Sequence, residues 1–312
     1  MRLNKPKFWD KNYHTLYSIM LWPVSFVYQI ITMLRKIFLK SKKFQIPIIC
    51  IGNIYIGGTG KTPLSMKLRE SLKDHFNPVI IRKFYKDHKD EIDLIKKYSK
   101  VITCDTRENG IKDAINKNFN LAILDDGFQD IKIKKNINII TFNDKQKIGN
   151  GLTIPAGPLR ESLSSLKSCD IILINGKKNI QFEESLRKFN NKLEFFYFNY
   201  YLKNLEEFKN KKLISFAGIG NPKNFFELLK EYRLNVIKEI SFPDHYNYND
   251  KDLEKLIEME SKYKAKLITT EKDYLRISEF KRKRFGFVPI KTNIEKEALL
   301  IEQIRKTLKW KF

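Results

Sequence analysis

From residue 46 onward, short apolar, β-branched runs alternate with stretches whose apolar positions recur every three to four residues. The runs at 46–51, 79–81, 101–104, 121–124, 138–141 and 171–174 predict strands. Between the first two, Leu64, Leu68 and Leu72 fall on one side of a helix. A second series follows, with strands at 213–217, 236–240, 267–270 and 287–290 and helices around 225–232 and from residue 251. Such alternation predicts an α/β fold, a mostly parallel sheet covered by helices, joined to a second, smaller α/β domain. The polar, lysine-rich stretch 176–212 separates the two series. The expected organisation is therefore an N-terminal segment (1–44), a first domain (45–176) and a second (177–312).

The N-terminal segment carries a different pattern. Residues 15–34 make a run of 20 without formal charge, and as a helix at about 1.5 Å per residue this matches the roughly 30 Å hydrocarbon thickness of a bilayer. Tyr17, Trp22, Phe26 and Tyr28 favour the lipid–water interface. Pro23, Ser18, Ser25, Gln29 and Thr32 interrupt the run. Arg2, Lys5, Lys7 and Lys11 precede it, and Arg35, Lys36, Lys40, Lys42 and Lys43 follow. Balanced basic flanks suit a helix lying in the interface of an anionic leaflet as well as one that crosses it. No small-residue cleavage site follows, which argues against a signal peptide. The expectation is membrane association; the alternative is an amphipathic helix packed on the protein's own domain.

Composition narrows the classes. A chain of 312 residues with 42% hydrophobic and 31% charged residues can bury a sizeable core and is neither disordered nor low-complexity. Cys50, Cys104 and Cys169 are too far apart for a zinc cluster or a disulfide framework. Sixty Lys and Arg against 36 Asp and Glu give a net charge of +24. No zinc-finger spacing, RNP-like aromatic string or helix-turn-helix accompanies that charge, so nucleic acid is not the expected partner. Anionic phospholipid or a phosphorylated substrate suits it.

The chemistry begins at Gly57-Gly58-Thr59-Gly60-Lys61-Thr62, between the first strand and the Leu64–Leu68–Leu72 helix. This is the setting of a phosphate-binding loop: glycines let backbone N–H groups face a phosphate chain, and the helix N-terminus adds its positive dipole end. Lys61 would pair with the β- and γ-phosphates and Thr62 would ligate Mg²⁺. Pro63 sits where its missing N–H costs nothing. One departure is Tyr55, where the strict motif has glycine. Downstream, Leu121-Ala122-Ile123-Leu124-Asp125-Asp126 is an apolar strand ending in two carboxylates, the form of a Walker B site. Together the two motifs predict a Mg²⁺-dependent, ATP-type phosphoryl site.

Their surroundings are more specific. Cys50-Ile51-Gly52-Asn53-Ile54, Asp125-Asp126-Gly127-Phe128-Gln129, Gly149-Asn150-Gly151 and Pro155-Ala156-Gly157-Pro158-Leu159-Arg160-Glu161 form one set. Asn175-Gly176, Asp244-His245-Tyr246-Asn247-Tyr248 and Thr270-Glu271-Lys272-Asp273 complete it. This set resembles the tetraacyldisaccharide 4′-kinase family of lipid A biosynthesis, from Phe8-Trp9 to near Asp273. The resemblance implies an enzyme of the bacterial inner membrane, facing the cytoplasm, and it implies no obligate protein partner. It would transfer the γ-phosphoryl group of ATP to the 4′-hydroxyl of a tetraacylated glucosamine disaccharide 1-phosphate, forming lipid IVA. Two α/β domains around a cleft and an N-terminal membrane anchor are likewise implied.

Residue roles follow from the same resemblance. Asp90-Glu91 resembles the family's Asp-Glu-Pro segment, with Ile92 in place of proline, so Asp90 is the candidate base for the sugar hydroxyl, oriented by His245 from the second domain. Asp125 and Asp126 are candidate metal ligands with Thr62. Arg107 and Arg160 would stabilise phosphate charge, since a guanidinium fork suits phosphate oxygens. Glu91, Gln129 and Glu161 are candidate substrate residues. On the pattern alone, Asp90 lies in the polar run 86–91 and reads as part of a solvated loop. Ile81-Arg82-Lys83-Phe84-Tyr85 departs from the family's Ser-Arg-Gly-Tyr-Gly, and Asp130 stands where His is usual. A membrane-peripheral ATPase or GTPase switch with no lipid acceptor is the rival function.

Overall fold

The computed structural model describes residues 5–57, 59–85 and 89–310. In chain order the elements are α1 (Leu16–Phe38), β1 (Ile48–Gly52), α2 (Lys61–Leu72), β2 (Pro78–Lys83), α3 (Lys89–Tyr98), β3 (Val101–Cys104), α4 (Arg107–Asn116), β4 (Leu121–Asp125), β5 (Ile137–Asn143) and β6 (Ile171–Asn175). Then come α5 (Ile180–Arg187), β7 (Glu194–Leu202), β8 (Leu213–Ala217), α6 (Pro222–Glu231), β9 (Val236–Ser241), α7 (Asp250–Tyr263), β10 (Lys266–Thr270), α8 (Glu271–Arg276), α9 (Glu279–Arg282), β11 (Gly286–Val288), β12 (Ile290–Ile294) and α10 (Glu297–Trp310). Short 3₁₀ turns punctuate the connections. The chain divides into two compact units. One comprises 1–83, 102–199 and 294–312; the other comprises 84–101 and 200–293.

The first unit is built on strands in the order β7-β6-β5-β1-β4-β2-β3. The pairs β1–β4, β1–β5, β2–β4, β5–β6 and β6–β7 are parallel. Every residue of β1 and β4 is buried, as expected for central parallel strands covered on both faces. Ile48, Cys50, Val79, Ile81, Ala122, Leu124, Ile140, Phe142, Ile172 and Ile174 form one continuous core. Burial of a single such aliphatic side chain stabilises the fold by about 1.5–3 kcal/mol. Because the core is held at the strands, the C-terminal ends of β1 and β4 are rigid platforms for the loops that follow. The stretch 176–212, read from its lysines as a boundary, contains α5 and β7. In β7 the aromatic run Phe195-Phe196-Tyr197-Phe198 carries strand propensity that the flanking lysines mask.

The second unit holds a four-stranded sheet, β11-β10-β8-β9, parallel throughout. Leu213, Ala217, Ile268 and Val288 pack with Phe225, Phe226 and Leu229 of α6. Ile214, Phe216 and Leu267 pack with Leu253 and Leu256 of α7. Alternate residues of the same strands thus serve two helix layers.

α1 is longer than expected, running to Phe38, and is capped by reciprocal bonds between Thr15 and Ser18. It is long and apolar enough to cross a membrane. The residues it buries are Ser18 and Ser25, while Leu16, Met20, Trp22, Phe26, Ile30, Met33 and Phe38 are exposed.

Candidate functional site

The phosphate loop leaves β1 through Gly52, where an added Cβ would lie 2.4 Å from Cβ of Phe128. The first residue of the loop arm and the Asp-Asp-Gly-Phe-Gln turn therefore touch with no room for a side chain. Gly57 (φ 114°) and Gly60 (φ 87°) adopt left-handed backbone that L side chains rarely take. Gly60 is the N-cap of α2, so Lys61 and Thr62 occupy the first turn, where the helix dipole favours anions. Thr59 is buried with its hydroxyl 2.7 Å from that of Thr141. Gly58 lies outside the described residues. Tyr55, standing where a strict loop has glycine, is buried, and its hydroxyl bonds to Asp10. Its backbone pairs with Leu159, so a hydrophobic anchor replaces the extra turn glycine there.

The two carboxylates after β4 diverge. Asp125, the last strand residue, accepts from Thr62 Oγ1 (3.1 Å) and from Ser65 Oγ (3.1 Å). Asp126 has φ 55°, a left-handed turn that Asp tolerates, and its carboxylate has a different set of partners. Lys61 Nζ lies 3.7 Å from Asp126 Oδ1, and Arg160 Nη1 donates to both Asp126 oxygens at 3.1 and 3.2 Å. Burial would raise the Asp126 carboxyl, but Lys61, Arg160 and Arg107 outweigh it and hold it at about 2. Burial pushes the Lys61 ammonium down, opposed by the charge of Asp126.

The other candidates of this unit take supporting positions. Arg107 is turned inward, donating from Nη2 to the carbonyls of Asp126 (2.7 Å) and Asp125 (3.3 Å), so it fixes the Walker B turn itself. Gln129 Nε2 donates to the Asn53 carbonyl at 2.9 Å, tying that turn to the loop arm. Glu161 is buried and paired with Lys36 of α1. Arg82, which sequence reasoning left without a role, lodges at the Thr62–Asp125 pair: Nη1 donates to Thr62 Oγ1 at 3.0 Å and also to Asp125 Oδ2. A cationic group resting on a hydroxyl and a carboxylate oxygen marks a place suited to a cation. Two hard oxygen donors that close together fit the one or two protein ligands Mg²⁺ takes beside nucleotide phosphates.

A separate cluster lies in the second unit. Asp90 is in the first turn of α3 and buried, not in a solvated loop; residues 86–88 of that run are outside the described residues. Arg276 of α8 donates to Asp90 Oδ2 from Nε (3.0 Å) and Nη2 (2.5 Å). The same guanidinium reaches the Gly218 carbonyl (2.6 Å) and Asp273 Oδ1 (2.8 Å). His245 Nδ1 is 3.5 Å from Asp90 Oδ1 and its Nε2 is 3.9 Å from Glu91 Oε1. Its φ of 54° and the bond from its N–H to Gly218 O (3.0 Å) set the ring's direction. Lys272 Nζ donates to Glu91 at 2.6 Å and lies 3.7 Å from Asp90.

Burial would raise the Asp90 carboxyl, but the His245 bond and the charges of Lys272 and Arg276 hold it well below the usual carboxylate range. Burial brings Lys272 down to about 8 against the pull of Asp90. At the far end of α3, Lys97 Nζ and Tyr98 OH both donate to Glu271 at 2.6 Å. α3 is thus clamped to α8 at both ends, which explains the Thr-Glu-Lys-Asp motif: Thr270 caps α8, Glu271 and Lys272 grip α3, and Asp273 anchors Arg276. Arg276, three residues beyond that motif on the same helix, was visible only as a helical neighbour of Asp273.

Comparison with known proteins gives a consistent result. A family model described as LpxK, tetraacyldisaccharide-1-P 4′-kinase, matches residues 17–309. The chain is 38% identical over 313 residues to the tetraacyldisaccharide 4′-kinase of Pelagibacter ubique (strain HTCC1062), covering 98% of each. It is 33% identical over 324 residues to that of Rickettsia bellii (strain OSU 85-389), covering 98% of this chain and 99% of the relative. Among solved structures, LpxK from Aquifex aeolicus in complex with ATP matches with a TM-score of 0.74 at 26% identity, covering 94% of this chain and 100% of that one.

Proposed function

Because this chain belongs to the tetraacyldisaccharide-1-P 4′-kinase family, we propose that it transfers the γ-phosphoryl group of ATP to the 4′-hydroxyl of a tetraacylated glucosamine disaccharide 1-phosphate. The product is lipid IVA, an intermediate of lipid A. The observation that carries this reading is the arrangement of Lys61, Asp126 and Arg160 beside the Thr62–Asp125 pair, at the N-terminus of α2.

In this reading the backbone of Gly57, Thr59 and Gly60 and the Lys61 ammonium cradle the nucleotide phosphates, and Arg160 meets charge that spreads over the γ-phosphoryl oxygens. Thr62 and Asp125 hold Mg²⁺, with Arg82 yielding its place on those two oxygens. Mg²⁺ held by these two residues would supply charge neutralisation to the nucleotide phosphates. Asp126 keeps Lys61 and Arg160 aligned. Asp90 orients the 4′-hydroxyl and takes its proton, and His245 holds that carboxylate and shares the proton. A strongly ionised carboxylate serves this purpose, because in a loose phosphoryl transition state the hydroxyl needs positioning more than forceful deprotonation.

We also propose that α1 associates with the cytoplasmic face of the inner membrane, where a four-chain lipid substrate resides. Its apolar side chains point outward, Ser18 and Ser25 are buried, Arg35 and Lys36 lie in its last turn, and Lys40, Lys42 and Lys43 follow it, a pattern suited to an anionic leaflet.

The test is direct: detergent-solubilised protein, Mg²⁺, γ-labelled ATP and the tetraacylated disaccharide 1-phosphate should yield labelled bis-phosphorylated lipid. Lys61→Ala should lower that rate by about three orders of magnitude or more. ATP hydrolysis without labelled lipid would overturn the reading in favour of a nucleotide switch.

A further inference from the structure

The segment 152–161 is gripped from two sides. On one side is α1. Ser25 Oγ donates to the Thr153 carbonyl (2.9 Å) and accepts from the Ala156 N–H (2.9 Å). Gln29 Nε2 donates to Thr153 Oγ1 (3.0 Å), and Tyr28 OH donates to the Arg160 carbonyl (2.8 Å). Ahead of the helix, Trp9 Nε1 donates to the Pro155 carbonyl (3.0 Å). Lys36 closes the row on Glu161.

On the other side is the arm of the phosphate loop. Arg160 N–H donates to Ile54 O (2.6 Å), Ile56 N–H donates to Pro158 O (2.9 Å), and Tyr55 bridges Leu159 in antiparallel fashion. From the end of this segment the Arg160 side chain reaches Asp126, which faces Lys61. Arg160 is therefore bonded three ways: its carbonyl to α1, its N–H to the loop arm, and its guanidinium to the carboxylate beside the loop lysine.

We propose that segment 152–161 is a strap through which the seating of α1 sets the phosphate site, with Tyr28 and Ser25 acting as positioning residues for Arg160. The inference rests on the reading of Lys61, Asp126 and Arg160 as the γ-phosphate site. It adds that an apolar surface helix governs nucleotide chemistry through its inward polar stripe. The periodicity supports a dedicated seat: Ser18, Ser25, Gln29, Thr32 and Lys36 recur at intervals of seven, four, three and four, one face of a helix. A helix that served only to hold lipid would have no need to place its polar atoms on the backbone of the strap.

The experiment uses the full chain carrying Tyr28→Phe or Ser25→Ala, each alone and combined with Arg160→Gln. Tyr28→Phe removes one hydroxyl from a half-exposed ring, so the fold is retained, and Ser25→Ala breaks the seat independently. For each variant one measures Mg·ATP affinity by displacement of a fluorescent ATP analogue, KM for ATP and for the lipid acceptor, and co-sedimentation with anionic phospholipid vesicles.

Loss of one such hydrogen bond should weaken ATP affinity and kcat/KM for ATP by about 5- to 20-fold. KM for the lipid and vesicle binding should stay unchanged. In the Arg160→Gln background the same substitutions should change ATP parameters less than about twofold, because the residue they position is gone. Equal losses in both backgrounds, no loss in either, or a loss confined to vesicle binding would overturn the proposal. The ATP-binding arm reads the coupling even if lipid phosphorylation fails, so the two readings fall separately.

Discussion

Replacing Arg276 by methionine tests how Asp90 is held. The guanidinium donates twice to Asp90 Oδ2, at 3.0 and 2.5 Å, and both side chains are almost entirely buried, at 6% and 5% exposure. An opposite charge at this range depresses a carboxyl by about 1–3 pH units. Its removal should raise the Asp90 value by about that much, since burial pushes the same way while Lys272 and His245 remain. The acid limb of kcat against pH should move upward by about 1–3 units, and kcat at pH 7 should fall by about 10- to 100-fold as the carboxylate loses its fixed direction. Stability has a defined sign. A depressed carboxyl contributes stability that is present above its unfolded value of about 3.9 and is lost as pH falls through the folded value. The variant should therefore be destabilised most above about pH 5, by about 3–5 kcal/mol for a broken buried pair, and the gap should narrow in acid. Arg276→Lys keeps the charge and loses the fork, so its shifts should be smaller. Urea midpoints and pH–rate profiles between about pH 4 and about pH 8 check both points. A folded Arg276→Met protein with an unmoved acid limb and kcat within about twofold of wild type would refute the reasoning.

Two further outcomes follow from the first unit. Asp126, held at about 2 by Lys61, Arg160 and Arg107 against burial, is 33% exposed at its side chain, so its stabilisation at pH 7 is screened to about 1–2 kcal/mol. That contribution disappears as pH falls from about 5 to about 2; Asp126→Asn should lower the urea midpoint at pH 7 and flatten the acid limb, and superimposable profiles would count against it. Gly52→Ala should lower the melting midpoint and weaken ATP binding together, because its Cβ would meet Phe128 Cβ at 2.4 Å and overpacking costs about 1–3 kcal/mol; an unchanged midpoint would show that the loop arm yields freely.

What could be read along the chain, and what could not, divides by the range of the forces involved. The central strands and the Gly57–Thr62 turn were legible because burial on both faces of a parallel sheet imposes near-continuous apolar runs, and glycine is demanded where φ is positive. Asp90 was legible only through the family resemblance, since its run of charged neighbours looks solvated until α8 is laid against it: its partner Arg276 stands 186 residues away. Groups such as Arg276, Lys272 and Glu271 act on other side chains, so their role has no local signature. α1 is the instructive case, because the polar positions that argue against a clean span also mark the face it turns to the protein. Ser18, Ser25, Gln29 and Thr32 were read as interruptions of an apolar span. Ser18 and Ser25 are instead its buried residues, and Gln29 bonds to the strap. In a water-soluble helix the apolar stripe marks the face turned to the protein. Where the outer medium is lipid, apolar contact is available on every side and hydrogen bonds distinguish the protein from its surroundings, so the polar stripe marks that face instead. The inward polar row of α1 is thus the one observation on which both the proposed membrane association and the proposed hold on the strap rest.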